Sequence, residues 1–267
     1  MFSAAVIADS VANDPYTRCT TFVLNFPRFI LAQFNTHRAF SRNTASSRAI
    51  PTKKLIAQVE SNPYIPKVWG ANKPGMSSDS NLDNFHATMA DMNTRLVLKH
   101  TLDHAKLLTE LGVHKQIVNR YLEPFMWVKV IMTTTAKGLE NFFSQRLHHA
   151  AQPEMQELAQ AMKIAYDAST PVYVGATQWH LPFGSDLPDV SDVHQRKIVV
   201  ARIARVSYDN HDGVRDIESD IKLADRLAAD NHWSPFEHVA MPWASRTGNL
   251  AGWMQLRHIV EKVGWPY

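Results

Sequence analysis

The chain has 267 residues and a single cysteine, Cys19. One thiol excludes an internal disulfide and any zinc site built on paired cysteines. No activating motif surrounds Cys19, so thiolate chemistry is not expected, and the count fits a reducing, cytoplasmic setting. Long apolar runs are missing too. No window approaches 18 uninterrupted apolar residues, so no membrane span is expected. The stretch MFSAAVIADSVAND lacks a basic start and a long apolar core, which predicts no signal peptide. There is no GxGxxG after a strand, no GxxxxGK[ST] and no GxSxG, so a Rossmann site, a phosphate loop and a nucleophile elbow are not indicated. Low-complexity tracts are absent. Net charge is only +3 despite a pI near 8.9, too mild for a general nucleic-acid binder.

What is present supports an ordinary core, with 45% hydrophobic residues, and 13 histidines hint at polar sites. Residues 19–26 are β-branched and aromatic and predict a strand. Pro27 opens a predicted helix over 27–38. The Pro-, Gly-, Asn- and Ser-rich stretch 61–80 reads as a loop long enough to act as a lid. Apolar spacing predicts a helix over 82–111, closed by Gly112. Further helices are expected over 114–130 (disturbed by Pro124), 138–148, 153–167, 195–206, 216–230 and 249–262. A turn-rich connection fills 170–193. The class is α+β, mostly helical with a small sheet.

The densest functional signal is Thr36-His37-Arg38-Ala39-Phe40-Ser41-Arg42-Asn43-Thr44-Ala45-Ser46-Ser47-Arg48. It holds three arginines, a histidine, an asparagine and three serines, and no acid. Planar guanidinium forks and hydroxyls held against a rigid element suit phosphates and flat heterocycles. The plainer alternative is a solvated basic loop, with His37 and Arg38 favoured by a helix C-terminal dipole. Taken singly, Arg120 and Arg146 read as exposed helix arginines and His238 as a satisfied structural histidine. His148 and His149 are adjacent and poorly spaced for one metal, so no metal site is expected.

Taken together, these segments resemble the flavin-dependent thymidylate synthase family. Its signature, Arg-His-Arg-x-x-Ser-x-Asn-Glu-x-Ser-x-Arg, is met here by His37, Arg38, Ser41, Asn43, Ser46 and Arg48, with Gln33 upstream. Asn141-Phe142-Phe143-x-x-Arg146 and Ala151-Gln152-Pro153-Glu154 are similar to a second family segment. Arg120 before Leu122 and Pro124 is similar to a third. Ala204-Arg205-Val206-Ser207-Tyr208 and Ser234-Pro235-Phe236-Glu237-His238 resemble segments that the family carries near its N-terminus. Here they come last, so the resemblance implies a single domain over 1–267 with permuted order, in which 195–267 corresponds to the family's usual N-terminal part. Permuted chains of this kind are associated with phages, which would place the protein in a host cytoplasm.

The resemblance implies FAD as cofactor, methylenetetrahydrofolate as one-carbon donor, NADPH as reductant and a pyrimidine deoxynucleotide monophosphate as substrate. His37, Arg38, Ser41, Asn43, Asn141 and His238 would surround the flavin. Gln33, Ser46, Ser47, Arg48, Arg120 and Arg146 would face the nucleotide, with Arg146, Ser46 and Arg48 carrying the chemistry. A homotetramer without membrane or nucleic-acid partner is the implied assembly. Thr36, Thr44 and Ser47 depart from the family's Arg, Glu and Gly. They open a second reading, hydroxymethylation of dCMP or dUMP, and Arg257 is a candidate for the guanidinium lost at Thr36. A non-catalytic nucleic-acid-binding module is the third reading.

Overall fold

The computed structural model describes residues 1–12, 17–75, 78, 80–206, 216–244 and 248–265. Its frame is a five-stranded sheet. Strands β1 (Ser3–Val11), β2 (Cys19–Pro27), β3 (Ser41–Thr44), β4 (Trp127–Thr135) and β5 (Val172–Tyr173) lie in the order β3-β4-β2-β1-β5. All neighbours are antiparallel except β1 and β5. A register shift between Val6 and Ala8 marks a bulge in β1. The sequence-predicted strand over 19–26 is β2.

Side chains alternate across the sheet. Phe22, Leu24 and Phe26 of β2, with Val128, Val130 and Met132 of β4, face one core. The short helix α1 (Leu31–Phe34) and helices α5 (Ala136–Arg146) and α6 (Pro153–Asp167) cover it through Phe34, Phe142, Met155, Leu158 and Met162. On the opposite face Ile131 meets Val199, Val200 and Ile203 of α7 (Asp192–Val206). Ala224 and Leu227 of α8 (Ile217–Ala229), Phe236 of a 3-10 turn (Ser234–His238) and Leu256 and Val260 of α9 (Leu256–Val263) complete that second core. Strands β6 (Ala240–Pro242) and β7 (Trp253–Gln255) form a small antiparallel pair beside it.

A third cluster packs α2 (Thr52–Ser61) and α4 (Lys115–Leu122) against the C-terminal half of the long helix α3 (Asn84–Glu110). Asp83 caps α3 by accepting from the His86 amide, and Gly112, at φ 78°, follows its end. Only Ala105 of this helix is buried. Phe85, Met89, Met92 and Leu96, spaced as one stripe, are exposed, Phe85 to 70%. No helix among the described residues is long and apolar enough to cross a membrane.

Three expectations are corrected. The helix expected over 114–130 ends at Leu122, and Trp127–Thr135 is the strand β4. Pro124 does not bend a continuing helix. It sits in a 3-10 turn (Glu123–Phe125) that redirects the chain into the sheet. The helix expected over 27–38 shrinks to a 3-10 turn (Arg28–Ile30) and α1, and part of the loop expected beyond it is the strand β3. The helix expected over 249–262 begins only at Leu256, after β7.

Gly138, in the first turn of α5, lies where any Cβ would sit 2.1 Å from Thr134 Oγ1. That hydroxyl donates to the Ala39 carbonyl at 2.9 Å. Gly138→Ala is expected to displace Thr134, break this bond and cost about 1–3 kcal/mol of stability. Urea unfolding measures it, and an unchanged midpoint would contradict the packing.

Candidate active site

The basic block divides at β3. Its first half, residues 36–40, turns back on itself, with the His37 amide donating to Phe34 O and the Phe40 amide to His37 O. Thr36 is exposed and its hydroxyl donates to Gln33 O at 2.7 Å. The buried His37 ring stacks on Phe40 and meets Phe142 edge-on. Its Nε2 accepts from Arg146 Nε at 2.9 Å. That bond requires a free lone pair on Nε2. Burial, followed by the charges of Arg146 and Arg42, pushes His37 down to about 4, so the ring is neutral and can accept. Arg42 donates to the carbonyls of Asn35 and His37 and so fixes the turn. Arg38 and Asn141 are exposed, and Arg38 has no ion pair among the described residues. This end of the sheet therefore brings His37 and Arg146 together and leaves a free guanidinium beside them in sequence.

Ser41 and Asn43 point into the face covered by the C-terminal segments. Ser41 Oγ accepts from Gln255 Nε2 at 2.8 Å, and Gln255 Nε2 also donates to Glu237 O. Asn43 Nδ2 donates to Ile203 O at 2.8 Å, while Ser234 Oγ lies 3.0 Å from Asn43 Oδ1 and 3.1 Å from Arg42 O. Asn43 thus ties β3 to α7 and to the Ser234–His238 turn, and Ser41 ties it to Gln255 of β7, which is bonded to the same turn. The sequence marked Ser41 and Asn43 as ligand-binding, and this tethering role was not visible there. Arg257 forms ion pairs with Glu237 and Glu261. Ser207 and Tyr208 lie outside the described residues.

A second polar set lies beyond the other end of β3. Ser47 Oγ donates to Glu123 Oε1 at 2.6 Å, and the same oxygen takes Arg120 at 2.7 Å and Arg28 at 3.1 Å. Burial works to raise the Glu123 carboxyl pKa. The Ser47 hydroxyl and the two guanidinium groups outweigh it and hold the carboxyl below its usual range. The fully buried Asn119 donates to the carbonyls of Ser47 and Ile50, which sets the turn that carries Ser46 and Arg48. Arg48 is exposed. Gln33 Oε1 is buried without a hydrogen-bond partner. Glu123 escaped the sequence reading, although its place three residues after Arg120 is an ion-pair spacing.

The two sets stand at opposite ends of β4. Arg120 and Glu123 precede this nine-residue strand, and Asn141 and Arg146 follow it. At about 3.3 Å per residue the strand spans roughly 27 Å.

Between them runs a buried polar chain. Ser10 Oγ meets His180 Nδ1 at 2.7 Å, and His180 Nε2 meets Thr21 Oγ1 at 2.7 Å. Thr21 Oγ1 meets Thr133 Oγ1 at 2.6 Å, and Thr133 Oγ1 meets His238 Nδ1 at 2.8 Å. Both histidines are fully buried, and His238 Nε2 has no partner. Burial pushes His180 down to about 4 and His238 to about 3. Cys19 is buried, which raises its thiol pKa and keeps it inert. Among the described residues no group of three His, Cys, Asp or Glu could hold a metal ion. Separately, a cleft of about 900 Å³ opens under the loop after α2, lined by Tyr64, Lys67, Arg95, Trp127, Glu154 and Glu157. Tyr64 donates to Glu154 there.

Residues 18–172 match the family described as thymidylate synthase complementing protein. A flavin-dependent thymidylate synthase of Aquifex aeolicus (strain VF5) is 29% identical over 143 residues, 54% of this chain and 44% of that protein. One of Kosmotoga olearia is 26% identical over 158 residues, 57% of this chain and 64% of that protein. The chain thus spans less than two thirds of either relative. A solved UMP/dUMP methylase of Streptomyces cacaoi, bound with 5-Br UMP, superposes with a TM-score of 0.53 at 16% identity, covering 62% of this chain and 88% of that one. This is a likeness of fold.

A histidine whose folded pKa lies below the unfolded value of about 6.5 takes up protons more readily when unfolded. The neutral burial of His37 and His180 therefore stabilises fully above that pH and is lost as pH falls through about 4. Urea midpoints are expected to stay level above about pH 6.5 and to fall steadily below it. A midpoint unchanged down to pH 4.5 would contradict the neutral rings.

Proposed function

The chain belongs to the thymidylate synthase complementing protein family, and on that premise we propose that it transfers a one-carbon unit from methylenetetrahydrofolate to C5 of a pyrimidine deoxynucleotide monophosphate, dUMP, with FAD as cofactor and NADPH as reductant. The observation that carries this reading is the bond from Arg146 to a neutral His37. It couples the signature block to the second family segment across 109 positions. The relatives' description as flavin-dependent thymidylate synthases supports the cofactor and the substrate class.

The residues present fit a flavin. Arg38 and Asn141 are exposed beside His37 and Arg146, and His238 Nε2 is a buried polar atom without a protein partner. The bound flavin would supply hydride chemistry, and the protein binds, orients and excludes water. Arg146 would face the pyrimidine, where a guanidinium stabilises negative charge growing on ring oxygens as C5 becomes nucleophilic. Ser46, Ser47, Arg48 and Gln33 would hold the nucleotide, and Arg120 its phosphate. No thiol nucleophile is required, in keeping with the inert Cys19.

By family resemblance the flavin lies at a subunit interface, so a site using both Arg120 and Arg146 would draw on a second copy of the chain. The exposed stripe Phe85, Met89, Met92 and Leu96 supports a homo-oligomer, a tetramer by family resemblance. The C-terminal segments share a core and hydrogen bonds with the signature strand, which supports one domain over 1–267 with permuted segment order. Thr36 and Thr44, which depart from the family's Arg and Glu, motivate the alternative outcome, in which water rather than hydride completes the reaction and the product is a 5-hydroxymethyl nucleotide of dCMP or dUMP.

The purified protein is expected to be yellow or to take up FAD. Colourless protein that resists reconstitution and binds DNA in a salt-dependent way would favour the nucleic-acid reading instead. Mass spectrometry of the product formed from dUMP or dCMP, folate and NADPH separates methyl from hydroxymethyl by one oxygen. Arg120→Ala should weaken nucleotide binding more than about tenfold, the loss of one charge-assisted bond to a phosphate. Unchanged affinity would reject the phosphate role.

A further inference from the structure

The chain from Ser10 to His238 has a direction. The hydroxyls of Ser10, Thr21 and Thr133 each carry one hydrogen, and each neutral imidazole carries one N–H. The links Ser10–His180, His180–Thr21, Thr21–Thr133 and Thr133–His238 each use one of those hydrogens. A hydroxyl can accept twice, so the four links can be made in four ways, which differ in whether the one unused hydrogen is that of His238, Ser10, Thr21 or Thr133.

In the first order, Ser10 donates to His180 Nδ1, His180 Nε2–H donates to Thr21, Thr21 donates to Thr133, and Thr133 donates to His238 Nδ1. His238 then carries its hydrogen on Nε2. In the reverse order, His238 Nδ1–H donates to Thr133 and each later link runs back toward Ser10. The Ser10 hydrogen then has no other acceptor among the described residues, and His238 Nε2 is a bare lone pair. The reverse order, and the two orders in which Thr21 or Thr133 accepts on both sides, each leave a hydroxyl hydrogen and the His238 Nε2 lone pair wanting among the described residues, and the first leaves one group. A buried donor without an acceptor loses its hydration with no bond in return, so the first order is favoured. It also contains two hydroxyl-to-imidazole bonds where the reverse contains one.

The chain cannot swing to relieve itself. Thr133 is paired in backbone register with Thr21 on one side and Ser41 on the other. His180 is bridged to Ala240 by backbone bonds in both directions. His238 belongs to the turn whose Ser234 and Glu237 are bonded to the β3 region and to Gln255.

We propose that Ser10, His180, Thr21 and Thr133 are positioning residues that hold His238 as an Nε2–H donor, and that the ligand group it meets is an acceptor, a carbonyl oxygen or unprotonated ring nitrogen of a bound heterocycle. The second half rests on the flavin reading above.

Long-range proton–nitrogen NMR of the full chain labelled with ¹⁵N-histidine reads the tautomer directly, with the His238 signals assigned by their loss in His238→Gln. The ligand-free parent is expected to show His238 protonated on Nε2. Thr133→Val should abolish that preference and weaken FAD binding about tenfold by fluorescence titration, and Thr133→Ser should restore both to within about twofold. A parent protonated on Nδ1 overturns the proposal even if FAD binds, and the parent spectrum decides this whether or not Thr133→Val folds. The expected tautomer in a protein that takes up no FAD leaves the chain standing and removes the flavin reading with its acceptor. Thr133→Val with unchanged tautomer and FAD affinity overturns the positioning role.

Discussion

Strand β4 is the constraint on which the rest depends. It pairs with β2 along its whole length and with β3 over residues 130–133. The pairing occupies both of its edges and the two cores cover most of both faces, so its position is fixed by backbone bonds and by packing together. Everything placed at its ends inherits that rigidity. Before it, Glu123 gathers Arg28, Arg120 and Ser47. After it, α5 carries Arg146 onto His37. The register that aligns Thr21, Thr133 and Ser41 in one row also supplies the hydroxyls on which the buried histidines hang.

The sheet's two faces have different chemistry because β-strands alternate. Phe22, Leu24 and Phe26 go to an apolar layer. Thr21 and Thr133 go to a face where hydroxyls, imidazoles and Gln255 are buried beside Ile131 and Phe236. Polar groups there are tolerated because nearly all are bonded, and the bonds specify one arrangement of the C-terminal segments against β3. The exceptions on the elements that cover this face include His238 Nε2, Arg202 Nε and His258 Nδ1, and of these only His238 was marked by the sequence as a site residue.

Part of this was legible beforehand. β2 declared itself by β-branched and aromatic residues, α6 opened where Pro153 signalled, and Gly112 followed the end of α3. β4 was hidden because Val128, Val130, Ile131 and Met132 are all buried, which erases the period-two pattern that marks a half-buried strand. The basic block stood out by composition, yet its division by β3 depends on pairing with residues about 90 positions away. The contacts between Arg146 and His37 and between Thr133 and His238 join segments more than 100 positions apart, beyond any local pattern. The sequence marked Ser41 and Asn43 as flavin-binding, and only tertiary structure gives them the work of tethering.

The second face of the sheet is closed by α7, α8, the Ser234–His238 turn and α9, all drawn from the last third of the chain. A ribosome emits that third after the strands it must cover. During synthesis β2 and β4 can pair while Ile131, Thr21 and Thr133 still face water, and the threonine row is hydrated rather than bonded to histidine. The nascent sheet is therefore one-sided until α9 has emerged. Its exposed edge and uncovered face make this interval the one in which chaperone capture or misassembly competes with folding.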